Sequence, residues 1–274
     1  MHFSVIAQQD TPLPEAHRWA AVTCGCKPDV TLEEDAAAMV RAAYGEQEFL
    51  AQLGQVDPSV AADFDLSSIM KAFGRGLPDP KAEGDKPRRL SNFRAETAEV
   101  LAKAALADVY AIDFPISEQA GKQNANQPVL GFDGCGFVTI GNSTALVLVT
   151  VKGSDDANRP PAIAQELIKE CTKAPKEPDK LCRTLTALLL RVKSAAVKAS
   201  IIKMLELLGK AVLPKIVVAP VLVRGKISAH LDDLGSVMNA VANFSPATTY
   251  GLVLGVGITL GDFGHSVMLK ARAD

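Results

Sequence analysis

The sequence predicts a mixed α/β protein with one main globular core. Three observations carry that expectation. Ala145 to Val151 (ALVLVTV) and Lys215 to Val223 (KIVVAPVLV) are nearly continuous apolar runs rich in β-branched residues, as strands buried on both faces require. Residues 91–110 and Lys180 to Lys210 instead repeat apolar residues every three or four positions, the period of an amphipathic helix. Hydrophobic residues make up 48% of the 274 and charged residues 22%, enough to bury a sizeable core.

Along the chain, residues 1–90 read as an N-terminal annex. Phe3 to Ala7 suits a strand, Leu32 to Leu53 a helix and Asp63 to Phe73 a shorter helix. Gly74 to Arg89 (GRGLPDPKAEGDKPRR) collects Gly, Pro and charge and reads as a linker, so residues 91–274 are expected to form the core domain. Ser91 or Asn92 can cap the helix over 91–110. Val109 to Ile116 alternates as a strand does, with a break at Pro115, and Val129 to Ile140 is a Gly-rich strand. Gly141-Asn142 then signals a hairpin into Ala145 to Val151.

Pro160 and Pro161 open a helix over Ala162 to Thr172, and a charged loop follows, Lys173 to Lys180. Lys180 to Lys210 reads as one long C-terminal helix with an apolar stripe from Leu181 to Leu208. Beyond Pro214 come the strand at Lys215 to Val223, a short helix near Leu231 to Ala242 and a strand region over Leu252 to Leu269. The core order is therefore helix, three strands, helix, long helix, strand.

A formal charge of −2 gives no overall attraction to nucleic acid or anionic lipid, so any such contact needs a local basic face. Such faces are the Lys173–Lys180 loop and the cluster Lys86, Arg88 and Arg89. Five cysteines without a secretory signal suit reduced thiols in a cytoplasm. Cys24-Gly25-Cys26 has the wrong spacing for structural zinc, and the four histidines are scattered. No apolar run is long enough to suggest a membrane span. Phosphate-binding loops, dinucleotide fingerprints and nucleophile elbows are missing from the sequence.

The stretch GFDGCGFVTIGNSTALVLVTVKGSDD, residues 131–156, holds the chemistry. With Gly141-Asn142 as a two-residue turn, Ile140 faces Ser143, and counting back sets Asp133 opposite Thr150. Opposed residues share a face, as do residues two apart on a strand, so Asp133, Thr150 and Lys152 point the same way. A carboxylate can hold a divalent cation there, while a lysine orients water for attack on phosphorus.

This arrangement resembles the PD-(D/E)xK nuclease superfamily. The resemblance implies a restriction-endonuclease-like core, α-β-β-β-α-β, with Asp133 as the motif aspartate and Lys152 as the motif lysine. A further acid of the first helix falls on Glu96 or Glu99, and Gln165 sits where some members keep a polar residue. More narrowly, residues 93–172 resemble the HamA-like nuclease subunit of Hachiman-type anti-phage systems, on Arg94, Glu96, Asp133 and the run Val151 to Ser154 (VKGS). By that resemblance the chain is a Mg²⁺- or Mn²⁺-dependent DNA nuclease held in check by a helicase partner, with Asp133, Glu96 and Glu99 as metal ligands.

One departure stands out: the motif glutamate position is Thr150. Threonine is neutral and a poor ligand beside a carboxylate. Either another acid substitutes, from Glu96, Glu99, Asp155 or Asp156, or the fold survives in a non-catalytic regulatory or binding subunit.

Overall fold

The computed structural model describes residues 1–11, 16–57, 63–84, 91–117, 119–121 and 132–273. The Lys86, Arg88 and Arg89 cluster, the end of the expected linker and the start of the expected strand at Val129 lie outside the described residues.

The protein is α/β. Its strands are β1 (His2–Asp10), β2 (Arg18–Gly25), β3 (Gly134–Ile140), β4 (Ser143–Ser154), β5 (Ile216–Arg224) and β6 (Thr248–Gly255). They form one mixed sheet in the order β1-β2-β6-β5-β4-β3. The inner pairs β2–β6, β6–β5 and β5–β4 are parallel, and the outer pairs β1–β2 and β3–β4 are antiparallel hairpins. As the apolar runs require, β5 is buried along its whole length, and β4 is buried from Ala145 to Val151 between β3 and β5.

Helices cover both faces. On one face α1 (Leu32–Ala43), α4 (Asn92–Tyr110) and α9 (Leu260–Arg272) close over Val147, Val149 and Val151. On the other, α5 (Ala164–Lys173), α6 (Pro178–Arg191), α7 (Ala195–Gly209) and the short α8 (Gly235–Asn239) pack over Leu146 and Leu148. The strand alternation of β4 thus assigns even-numbered residues to the α5 side and odd-numbered residues to the α4 side. Among the described residues, no helix is long and apolar enough to cross a membrane.

Several expected elements are corrected. Residues 1–90 are not set apart from the core: β2 pairs in parallel with β6, and Ala20, Val22, Ala36 and Val40 are buried in the same cluster as Leu252 and Leu254. The helix expected over Leu32 to Leu53 divides into α1 and α2 (Glu46–Leu53) at Gly45, whose φ of +89° a helix cannot continue through. The expected helix at Asp63 to Phe73 is α3 (Leu66–Arg75), capped by Asp65, which accepts from Ser67 N at 3.0 Å.

The strand expected over Val109 to Ile116 is reduced to one bridge, Asp113 to Phe137, with both hydrogen bonds at 2.8 Å. Helix α4 runs through Tyr110, and Pro115 has no N–H to extend a ladder. The order after α4 is therefore β3, β4, α5, α6, α7, β5, and a three-stranded core following the first helix is not present as predicted. The long helix breaks at extended Val192, and Ser194 starts α7 by accepting from Val197 N at 3.4 Å. The expected helix at Leu231 to Ala242 is α8 between two tight 3₁₀ turns. The expected tail strand ends at Gly255. Gly257 turns the chain at φ +83°, and Leu260, Phe263, Val267 and Ala271 then repeat at helical spacing and are buried on α9.

Candidate functional site

Gly141, at φ +61°, makes the two-residue turn, and Ile140 pairs with Ser143. The ladder runs back to Gly134 opposite Val149, so Asp133 falls one step beyond, opposite Thr150. The Asp133 N–H donates to Val149 O at 3.2 Å, and its carboxylate Oδ2 accepts from Val151 N at 2.7 Å. The hairpin alone therefore fixes this carboxylate over the end of the sheet.

Asp133, Thr150 and Lys152 line one cleft of about 390 Å³ on the α5 side, with Glu170, Lys173, Glu177 and Lys180 completing its polar walls and Phe132 its apolar edge. Lys152 Nζ donates to Glu170 Oε1 at 2.7 Å and lies 3.9 Å from Glu166 Oε2. Lys180 Nζ sits 4.1 Å from the centre of the Phe132 ring, a cation–π contact on the opposite rim. The Lys173–Lys180 segment, expected as a phosphate-contacting loop, thus supplies two ammonium groups to the cleft.

Burial pushes the Asp133 carboxyl above the usual carboxylate range; the Val151 N–H and the Lys152 charge oppose the shift, and Glu170 reinforces it. Burial works against the charge of Lys152, but the hydrogen bond and field of Glu170, with Asp133 and Glu166 behind it, outweigh that penalty and hold its pKa up. Lys152 is an ammonium at neutral pH. Thr150 is 5% exposed. Its neighbour Cys171 is fully buried, which pushes the thiol up to about 12.

The other sequence-picked acids go elsewhere. Glu96 and Glu99 lie on α4, across the sheet from Lys152. Glu96 accepts from Tyr44 Oη at 3.1 Å, and Glu99 from Gln119 Nε2 at 3.4 Å, beside the 2.6 Å bond from Lys103 Nζ to Gln119. Asp155 accepts from Leu260 N at 3.1 Å where α9 begins, and Asp156 holds Asn158 and Ala162 backbone N–H groups in the following loop. Gln165 is exposed and does not line the cleft.

Glu166 and Glu170 were missed from sequence. They stand one helical turn apart on α5, and that i, i+4 spacing was the available signal. Their approach to Lys152 depends on how α5 crosses back over β4.

Among the described residues, no group of three or more His, Cys, Asp or Glu side chains forms a ready metal cage. The cleft does hold hard oxygen donors of the kind Mg²⁺ accepts, Asp133 and Glu170, and Mg²⁺ ordinarily takes one or two carboxylates together with waters and substrate phosphate. No family model and no curated protein matches this chain.

Proposed function

We propose that the protein is a divalent-metal-dependent DNA nuclease of the PD-(D/E)xK kind, in which Glu170, with Glu166 beside it, stands in for the carboxylate that Thr150 lacks. The observation that carries the reading is the convergence of Asp133, Lys152 and Glu170 on one cleft at one end of the sheet. The succession α4, β3, β4, α5 and later β5, with the Asp113 bridge as a vestige of the first strand, supports a reduced restriction-endonuclease-like core. A role in Hachiman-type defence with a helicase partner rests on the sequence resemblance alone.

In this reading Asp133 and Glu170 hold the cation. When bound, Mg²⁺ or Mn²⁺ supplies Lewis-acid polarisation of the scissile phosphate and a more acidic water. Lys152, already protonated, orients the attacking water and offsets charge developing on the phosphate; it does not act as the base. Lys173 and Lys180 face the neighbouring phosphates. Hydrolysis adds the water hydroxyl to phosphorus and its proton to the leaving oxygen.

A second reading, a non-catalytic DNA-binding or regulatory subunit, is favoured by the tight Lys152–Glu170 pair, which compensates the lysine's charge and engages the carboxylate that a cation would need. Cleavage of plasmid and linear DNA with Mg²⁺ and Mn²⁺, alongside calorimetric metal titration, separates the two. The nuclease reading expects metal-dependent cutting that falls about 100-fold in Lys152→Ala and in Glu170→Gln, with metal binding lost in Asp133→Asn. Binding of DNA without cutting in either metal would sink it and establish the second reading.

A further inference from the structure

Helix α7 is apolar nearly all the way round: between Ala195 and Gly209 its only polar residues are Lys198, Ser200, Lys203 and Glu206. A helix of that kind is ordinarily enclosed. Here Ile201 and Met204 are buried and Val197, Leu205 and Leu208 pack partly buried against the same core, while the helix lies chiefly against α6 and its outward face stays open. Ile202, at its midpoint, is 55% exposed. At the two ends of the hairpin, Leu190 is 82% exposed and Val212 50%.

We propose that α7 is the interface of a two-fold symmetric dimer, packed antiparallel on α7 of a second copy and centred on Ile202. Ala195, Lys198, Ala199, Ile202, Glu206 and Gly209 are all exposed, and their spacing of three and four residues sets them on one stripe. Antiparallel about Ile202, that stripe complements itself. Lys198 falls beside Glu206 of the second copy, at both symmetry-related positions. Ala195 meets Gly209 at each end, where the lack of bulk lets the helices approach closely.

A parallel pairing would instead set Lys198 against Lys198, so charge selects the antiparallel register. The same register carries the Leu190 end of one hairpin towards the Val212 and Leu213 end of the other. Two helices about 22 Å long make a modest isologous contact, so association should depend on protein concentration. This inference is independent of the nuclease reading.

Sedimentation equilibrium of the full chain tests it. The expected result is a monomer–dimer equilibrium whose dissociation constant rises about 100-fold in Ile202→Glu, which would bury two facing carboxylates. Lys198→Glu and Glu206→Lys should each weaken the dimer about tenfold, and the double swap should bring it back to near the starting affinity. Glu206 also pairs with Lys210 on its own helix, so the melting temperature of each variant is measured separately from its association. Because the substituted side chains are exposed, folding should be retained. A chain that stays monomeric, a dimer indifferent to Ile202→Glu, or a charge swap that fails to restore association would each overturn the proposal.

Discussion

Lys152 Nζ lies 2.7 Å from Glu170 Oε1, a contact between the end of strand β4 and the helix that follows it. This pairing changes the meaning of the threonine at position 150. The strand lacks its expected carboxylate, yet a carboxylate reaches the lysine from α5, on the same side as Asp133.

Asp133 should make stability depend on pH in a particular direction. Its pKa is raised in the folded protein, chiefly by burial, so the native state binds the proton more tightly than the unfolded chain does. Stability is then fullest below the unfolded pKa and falls as the pH climbs through the folded one. Asp133→Asn keeps an acceptor for Val151 N–H and removes the charge. Thermal melts from acid to neutral pH should show the variant losing this falling component and becoming more stable than the parent at neutral pH. An unchanged profile would mean that Asp133 does not carry the shift.

Thr150→Glu should add a carboxylate to the cleft that Asp133, Glu170 and Glu177 already line. Without metal, mutual repulsion should lower the melting temperature; Mn²⁺ should then raise it by more than in the parent protein. Under the nuclease reading, cleavage should increase by a factor of about 100, and the gain should vanish in Thr150→Glu/Lys152→Ala. A folded Thr150→Glu variant with no metal-dependent stabilisation would contradict a cation position between these acids.

Asp233 and Arg224 form a fully buried pair, with Oδ1 and Nε 3.5 Å apart. Arg224 also donates to Asp156 O at 2.5 Å and so ties down the loop that follows β4. Asp233→Ala should cost about 3–5 kcal/mol, because it strands a buried guanidinium. Urea unfolding checks the loss, and a cost below about 1 kcal/mol would show that the loop carbonyls alone satisfy Arg224.

Gly251 pairs with Trp19 across β2 and β6, and a Cβ there would come within 2.2 Å of the indole ring. Tyr110 also donates to Gly251 O at 2.7 Å. Gly251→Ala should destabilise the protein by about 1–3 kcal/mol through overpacking. Because the chain has one tryptophan, fluorescence should report the displaced ring directly. A spectrum and a melting temperature both unchanged would refute the close packing.

By itself, the sequence determined whatever depends on neighbours along the chain. The Gly141-Asn142 turn and the two-residue strand period set Asp133 opposite Thr150, and β-branched apolar runs marked β4 and β5 as buried. Those are short-range matters of dihedral preference and side-chain alternation. Only the tertiary structure decided that residues 1–90 feed two strands into the same sheet, that the Lys180–Lys210 stripe folds back on itself at Val192, and that the last apolar segment coils into α9. Nor could local pattern tell that Glu96 and Glu99 end up across the sheet while Glu170 comes to Lys152. Which face a helix covers is settled when its apolar stripe is buried against strands distant in sequence. In a parallel β-α-β connection the handedness of the crossover then assigns that face, a choice no short window of residues contains.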